Sequence, residues 1–197
     1  MQTIITRTAK HGKTQYTLPW KKSLLGEANW TLLGLWLQEI SVKDKMKCLF
    51  MLKQTNWLIK ILNLIPPLSF FTFTPFKCFR NEILCGSSKR NVFDSAFSFK
   101  IENSVYELRE HSNNYGSLMK NDIQIALYKR DTEAVMGHTK YFVDYDAKQE
   151  LSLILLFCAF KDTVFHKSRG SIDFVKYEKS YVISDPFPER ISWQPDN

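Results

Sequence analysis

The fold of this protein is decided by one apolar stretch, "ELSLILLFCAFKD" at residues 150–162. Leu151 to Phe160 carries no charge, and only Ser152 and Cys158 interrupt its aliphatic and aromatic side chains. Such a run is too short to cross a bilayer as a helix, which takes about twenty residues. A surface helix would show polar residues at every third or fourth position. The stretch therefore belongs inside a folded structure.

Its composition predicts a helix at about residues 147–166. Leu, Phe, Ala and Cys outnumber β-branched residues, Asp146 is placed to cap the start, and Lys161 and His166 lie near the end. Cations at that end suit the helix dipole. A helix that is apolar on all sides must be enclosed by protein or lipid.

The preceding sequence supplies a container in the form of three hairpin repeats. They read SFFTFTPFKCFRNEILCGSSKR (69–90), FSFKIENSVYELREH (97–111) and GSLMKNDIQIALYKRD (116–131). Each has a strand-like run, a polar turn containing Asn (Asn81, Asn103, Asn121), and a second run closed by Lys or Arg. Asn tolerates left-handed backbone angles, which tight hairpins require. Alternation such as Phe97, Phe99 and Ile101 is the two-residue period of a half-buried strand.

The pattern predicts a mainly β (α+β) fold, an antiparallel barrel of hairpins that encloses a central hydrophobic C-terminal helix. A further strand is expected at 138–146 (HTKYFVDYD), and two or three short strands are expected at 16–39. Residues 1–13 are expected to be a flexible basic tail, and residues 14–197 a single domain.

Residues 43–65, KDKMKCLFMLKQTNWLIKILNLI, allow three interpretations. Lys53, Asn56, Lys60 and Asn63 recur at helical spacing and would form one polar stripe. The segment is then a mostly buried helix that ends before Pro66-Pro67, or an interfacial helix whose lysines snorkel. Two strands are the third interpretation.

The charge is distributed unevenly along the 197 residues, whose formal net charge is +7. Through Asn91 there are 14 Lys and Arg against four Asp and Glu, and the remainder has 13 against 16. A basic half favours an anionic partner such as phospholipid headgroups or nucleic acid. The alternative is that the lysines serve solubility.

The hairpins and the apolar helix together resemble the tubby C-terminal-like superfamily, which includes the LURP-one-related and phospholipid-scramblase branches. The likeness rests on FTPFKCFRNEILCGSSKR, FSFKIENSVYELRE, GSLMKNDIQIALYKRD and ELSLILLFCAFKD, and covers about residues 69–166. It implies a barrel of roughly twelve strands around one helix, and a non-enzymatic module. Tubby proteins bind phosphoinositides through surface Lys and Arg, and scramblases act at membranes. The segment 43–65 departs from the family pattern.

The predicted function is binding of anionic phospholipid headgroups, or of a membrane-associated protein, at the cytoplasmic face. Three basic pairs are the candidate headgroup ligands: Lys21-Lys22, Lys89-Arg90 and Lys129-Arg130. Each pair would meet phosphate through charge-assisted hydrogen bonds, although a solvated charge at a strand end is the simpler interpretation of any one pair. A soluble regulatory protein-binding module is the alternative function, and a nucleic-acid-binding protein or Mg-dependent nuclease is the minor one.

The sequence contains none of the common catalytic motifs. There is no G-x-S-x-G, P-loop, G-x-G-x-x-G or H-E-x-x-H, and the four histidines have no metal-spaced partner. Acids at 144, 146 and 150 are the one arrangement that invites Mg²⁺, and the helix dipole explains them more simply. We therefore expect no enzyme activity, no cofactor and no metal. The expected state is a monomer in the cytoplasm or at the membrane periphery, with reduced cysteines.

Overall fold

A computed structural model describes residues 1–10, 13–29, 38–45, 47–55, 75–91, 96–111, 115–131 and 138–165. They form twelve antiparallel strands and one helix. The first six strands are β1 (Gln2–Lys10), β2 (Lys13–Thr17), β3 (Leu24–Asn29), β4 (Glu39–Asp44), β5 (Lys47–Gln54) and β6 (Phe76–Arg80). They are followed by β7 (Ile83–Asn91), β8 (Ala96–Ile101), β9 (Ser104–Glu110), β10 (Tyr115–Lys120), β11 (Ile123–Arg130), β12 (His138–Tyr145) and the helix α1 (Leu151–Phe165).

The strands close into a barrel in which each strand pairs with its neighbours in the chain. The last pairing joins β1 to β12, with Ile4 opposite Phe142. Closure leaves no unpaired sheet edge, which is how an all-antiparallel sheet avoids edge-to-edge association. The predicted fold class, a barrel of hairpins around a helix, is confirmed.

The predicted hairpin turns are present, with one difference in detail. Asn81 and Glu82 have φ angles of 48° and 68°, and Asn121 and Asp122 have 47° and 66°. Positive φ at both central residues is the geometry of type I′ turns, whose twist matches the flanking strands. In the second repeat the positive φ, 54°, belongs to Glu102 instead of the neighbouring Asn.

The helix α1 runs along the interior of the barrel. It begins after Glu150, whose carbonyl accepts the N–H of Ile154 at 3.2 Å. Every side chain from 152 to 162 is buried. The helix therefore starts four residues later than the predicted position 147, because Asp146 caps the preceding turn by accepting the N–H of Lys148 at 3.0 Å. His166 lies outside the described residues.

Aromatic packing joins the helix to the strands. The ring of Phe160 meets the rings of Phe76, Phe97 and Phe99 edge-on, with centroids 5.2, 5.2 and 4.8 Å apart. Such edge-to-face pairs stabilise the core beyond simple area burial. On β3, Gly26 has no side chain, and a Cβ there would lie 3.3 Å from Leu155 Cγ. The absence of a side chain lets the helix approach this strand closely.

A buried polar cluster fixes the far end of the helix. Arg7 Nε lies 2.6 Å from Asp162 Oδ2, and Tyr16 donates a hydrogen bond to the same oxygen at 2.8 Å. Tyr141 donates to Oδ1 of Asp162. Burial and the nearby Asp162 charge raise the pKa of both tyrosines, so both hydroxyls stay protonated and donate. The helix is thus bonded to three wall strands, β1, β2 and β12.

The prediction of a flexible basic tail over residues 1–13 is wrong for residues 2–10, which form β1. Thr3, Ile5 and Arg7 are buried in alternation, as a half-buried strand requires. The N-terminal ammonium of Met1 donates to the carbonyl of Tyr145 at 2.8 Å. The polar composition of residues 2–10 suggested a solvent-exposed tail. Arg7 is nonetheless buried, because it pairs inside the barrel with Asp162, a helix residue far away in the sequence.

Residues 43–65 prove to be strands as far as the structure describes them. They contribute the end of β4 and all of β5, and residues 56–65 lie outside the described residues. The two-strand interpretation is therefore correct for the described part of this segment, and three of the four polar positions with helical spacing, Asn56, Lys60 and Asn63, lie outside the described residues. The proposed single domain over 14–197 stays a prediction, since residues 166–197 also lie outside. In the described part of the chain, no helix has the length and apolar character that a bilayer crossing requires.

Candidate anion-binding surface

Four lysines lie on the outer wall of adjacent strands β5 to β8. We call Lys53, Lys77, Lys89 and Lys100 the lysine wall; all four are exposed. Lys53 stands directly opposite Lys77, Lys77 opposite Ser87, and Ser87 opposite Lys100. Adjacent strands are about 4.8 Å apart, so Lys53, Lys77 and Lys100 stand on one line across the wall, with Lys89 two residues along β7 from Ser87.

Among the residues that the structure describes, the carboxylates near this line are already paired, as Glu102, two residues along the chain from Lys100, is with Arg80. Glu39 on β4 reaches Lys53 with Oε2 at 3.9 Å from Nζ, at the margin of the wall. Glu107 on β9 is held by Arg109 at 2.7 Å. Like charges placed directly opposite one another on a sheet are destabilising. The wall is thus an arrangement that an anion would relieve.

The lysine wall meets an apolar rim at one end of the barrel. The turns β2–β3, β4–β5, β6–β7, β8–β9 and β10–β11 share this end, because connections alternate between ends in a meander; we call it the turn end. Backbone hydrogen bonds tie these turns to adjacent strands. The N–H of Glu102 donates to the carbonyl of Cys85, and the N–H of Asn121 donates to the carbonyl of Val105, both at 2.8 Å.

The apolar rim consists of Ile83 (73% exposed), Leu84 (55%), Val105 (49%) and Ile123 (70%). Val105 stands opposite Lys100, so the rim and the wall form one corner.

A cavity of about 210 Å³ opens at the same end, beside the start of the helix; we call it the mouth cavity. Its basic lining residues are Arg80, Lys120 and Lys148, and its acidic ones are Glu102 and Glu150. Phe50, Ser104 and Tyr106 contribute to the wall.

Arg80 organises the charges in the mouth cavity. Its Nη1 donates to Glu102 Oε1 at 3.1 Å and its Nη2 to Glu150 Oε2 at 3.0 Å. The guanidinium also lies over the Phe50 ring, 5.2 Å from the centroid. The hydrogen bond to Glu102 is the main cause of a raised pKa for Arg80. One cation therefore stands between two carboxylates, while Lys120 lies over the Tyr106 ring at 5.7 Å.

The candidate basic pairs do not converge on one surface. Lys89 belongs to the lysine wall, and the side chain of Arg90 lies outside the described residues. Lys129 is exposed on β11, three strands away from β8 in the ring, with its Nζ 5.2 Å from the Tyr115 ring centroid. Arg130 stands opposite the buried Tyr141 and is half-buried. Neighbouring residues of a strand point to opposite faces, which is why a Lys-Arg pair on a strand cannot present both charges to one ligand.

Lys21 and Lys22 lie in the β2–β3 turn beside a second exposed surface. This aromatic groove, about 450 Å³ in volume, is lined by Ile4, Pro19, Trp20 and Phe142 among others. Trp20 is 62% exposed and donates its indole N–H to Thr3 Oγ1 at 2.9 Å. The groove is on β1 and β12, which stand opposite β6 and β7 in the ring of strands.

Sequence reasoning missed Lys53, Lys77 and Lys100, and also the mouth cavity. The signal for the lysines was available, since Lys77 and Lys100 each alternate with buried residues of a predicted strand. Only the register between strands shows that they line up. The cavity residues come from turns and strands that are distant in sequence, so no local motif marks them.

The described residues contain no group of three or more His, Cys, Asp or Glu side chains placed to hold a metal ion. Asp144, Asp146 and Glu150 are accordingly not brought together as such a group. Burial raises the pKa of Cys158 to about 12 and also raises that of Cys78. Neither thiol is a thiolate near neutral pH, as a cysteine nucleophile would need to be.

Comparison of the chain with protein-family models, with curated proteins and with solved structures gives no match.

Proposed function

We propose that this protein is a non-catalytic module that binds the anionic surface of a membrane at the cytoplasmic face. The observation that carries the proposal is the lysine wall, in which Lys53 and Lys77 stand directly opposite each other. Lysines near an anionic leaflet each contribute about 1 kcal/mol of attraction. A row of such side chains on adjacent strands presents these charges on one surface of the barrel.

The apolar rim supports the same orientation. Ile83 is mostly exposed to water, and Leu84 and Val105 are about half exposed, at the corner where the turn end meets the wall. Stable attachment to a bilayer generally takes two signals, such as a basic patch together with inserted apolar groups. A barrel tilted onto this corner would place lysines on phosphates and the rim among the headgroups.

Membership of the tubby C-terminal-like superfamily is part of the proposal. A closed barrel of twelve antiparallel strands around one apolar helix is the architecture that the resemblance implied. The proposed lipid contacts differ from those suggested by the sequence, since Lys53, Lys77 and Lys100 join Lys89 on the wall.

Co-sedimentation with vesicles tests the function. We expect binding at low salt to phosphatidylcholine vesicles that contain phosphatidylserine or phosphatidylglycerol, and none to phosphatidylcholine alone. Changing Lys53, Lys77 and Lys100 to Gln should weaken binding by about 3 kcal/mol, or roughly a hundredfold. Absence of binding to both anionic vesicles would rule the function out.

A matched variant separates the surface from the overall charge. Changing Lys13, Lys129 and Lys140 to Gln removes the same charge from the exposed faces of β2, β11 and β12, none of which adjoins β5 to β8, and should weaken binding far less. If the two triple variants lose affinity equally, the wall is not the contact surface. Salt-sensitive retention of DNA that the wall variant abolishes, without vesicle binding, would favour the nucleic-acid alternative.

The aromatic groove favours the second candidate, a protein-binding module. Trp20 and Phe142 are exposed apolar side chains of the kind that anchor protein interfaces. Because the groove lies opposite the lysine wall, a membrane-bound barrel would present it to the cytoplasm. A partner that binds wild type but not Phe142→Ser, in the absence of vesicles, would support this function.

A further inference from the structure

We infer that the mouth cavity selects the phosphoserine headgroup of the membrane lipid. This inference rests on the proposed membrane binding and names the ligand class that the turn end would recognise. It is carried by the pairing of two separate charge groups in one small cavity: the Glu102–Arg80–Glu150 triad and the lysines Lys120 and Lys148.

The size of the cavity favours a headgroup over a larger ligand. Its volume of about 210 Å³ corresponds to roughly seven water molecules. Pockets for drug-sized ligands run from about 300 to 1,000 Å³. The cavity is therefore suited to a compact polar group at the membrane surface.

The triad provides a place for a cation. The single positive charge of Arg80 lies between two carboxylates, 3.1 Å from Glu102 and 3.0 Å from Glu150. The three groups together are therefore net negative by one charge. A headgroup ammonium neutralises that charge, since ammonium groups pair with carboxylates through charge-assisted hydrogen bonds.

The two lysines of the mouth cavity can pair with the anionic groups of the headgroup. Lys120 and Lys148 line the same cavity, and Ser104 adds a hydroxyl. A phosphodiester and a carboxylate each carry one negative charge at neutral pH, and the two lysines match them. The phosphoserine headgroup carries one ammonium, one phosphodiester and one carboxylate, so all three of its charges find a counterpart.

Other common headgroups match the cavity less completely. Phosphoglycerol has no ammonium and leaves the triad unused. Phosphoethanolamine has no carboxylate and leaves one lysine unused. The cavity therefore discriminates by the arrangement of charge, whereas the lysine wall responds to the amount of anionic lipid.

The test compares full-length protein on two kinds of vesicle with equal surface charge, phosphatidylcholine mixed with either phosphatidylserine or phosphatidylglycerol. We expect about threefold to fivefold tighter binding to phosphatidylserine, the effect of one additional exposed ion pair. Changing both Glu102 and Glu150 to Gln should bring this ratio to one. The readout is the ratio of the affinities for the two kinds of vesicle, because the variant also becomes more basic and gains affinity for any anionic vesicle.

The control variant changes Glu82 and Asp122 to Gln and Asn. Both residues are exposed at the same end and neither lines the cavity, so the charge change is identical and the lipid ratio should stay at its wild-type value. Equal binding of wild type to both lipids overturns the inference while the proposed function stands. If wild type binds neither kind of vesicle, the inference and the proposed function are both overturned. A ratio that survives in the Glu102/Glu150 variant also overturns the inference.

A soluble arm separates headgroup chemistry from the bilayer. O-phospho-L-serine should displace the protein from phosphatidylserine vesicles more effectively than glycerol phosphate does. A peptide with an internal phosphoserine lacks the ammonium and carboxylate of the amino acid, so it should compete no better than glycerol phosphate. Stronger competition by the peptide would assign the cavity to a phosphorylated protein and overturn the lipid assignment.

Discussion

Arg7 and Asp162 form an ion pair inside the barrel, with Nε and Oδ2 separated by 2.6 Å and side chains only 9% and 2% exposed. One residue lies on the first strand and the other near the end of the helix. The pair therefore joins the two ends of the described chain, and Tyr16 and Tyr141 complete the hydrogen bonds of the carboxylate.

Replacing Asp162 with Asn should destabilise the protein by about 3 kcal/mol, because Arg7 then stays buried without a counter-charge. Chemical denaturation followed by circular dichroism measures this change. Adding Arg7→Met to Asp162→Asn should recover part of the loss, since the two residues are coupled.

The matched control for that prediction is Glu39→Gln. Glu39 pairs with Lys53 at 3.9 Å, and both side chains are exposed, so its loss should cost less than about 1 kcal/mol. Equal costs for the buried and exposed pairs would contradict the assignment of the buried cluster as the anchor of the helix.

Gly26→Val should destabilise the barrel by about 1–3 kcal/mol through overpacking. A Cβ at this position would lie 3.2 Å from Tyr16 Cβ and 3.3 Å from Leu155 Cγ, and Val adds two methyl groups beyond it. Thr17→Val, on the half-exposed face of the adjacent strand, should stay within about 0.5 kcal/mol. A neutral Gly26→Val would mean that the helix does not pack against β3 as described.

Leu155→Asp should prevent folding. Leu155 is fully buried in the core cluster, and an unpaired buried carboxylate costs several kcal/mol. Leu155→Met keeps the volume and should cost less than about 1.5 kcal/mol. Circular dichroism and soluble yield measure both; a stable, soluble Leu155→Asp protein would show that this helix is not the core.

The Glu27–Lys43 pair predicts a small dependence of stability on pH. A hydrogen bond from Lys43 Nζ at 2.8 Å lowers the pKa of Glu27 below its usual 4.5. The stabilisation is therefore present above pH 4.5 and is lost as pH falls through the lowered value. Both side chains are partly exposed, so the effect should be within about 1 kcal/mol. Unfolding of Glu27→Gln should show a flatter acid limb; identical pH profiles would contradict the pairing.

Changing Leu84 and Val105 to Ser should weaken binding to anionic vesicles by about tenfold, because roughly 1–2 kcal/mol of apolar burial is lost. Both side chains are about half exposed in the free protein, so folding should be little affected. Ile4→Ser with Phe142→Ser removes comparable surface from the opposite side and should leave vesicle binding unchanged. If it is the latter variant that loses binding, the aromatic groove is the membrane contact.

The sequence alone determined the interior of this protein. An apolar run without a polar face fixed the helix, and the two-residue alternation around Asn-containing turns fixed the hairpins that enclose it. Both signals are local, because periodicity and turn chemistry depend on neighbouring residues. For the same reason they misread residues 2–10, where the buried Arg7 pairs with Asp162 far away in the chain, and they left residues 43–54 undecided between helix and strands.

Only the tertiary structure decided which charges meet. Lys53, Lys77 and Lys100 are separated by more than twenty residues at each step, and they align through the pairing register of β5 to β8. Alternation assigns a side chain to the inner or outer face, but its height along the barrel depends on every turn and bulge before it. The mouth cavity is decided in the same way, since Arg80 meets Glu150 across 70 residues of chain.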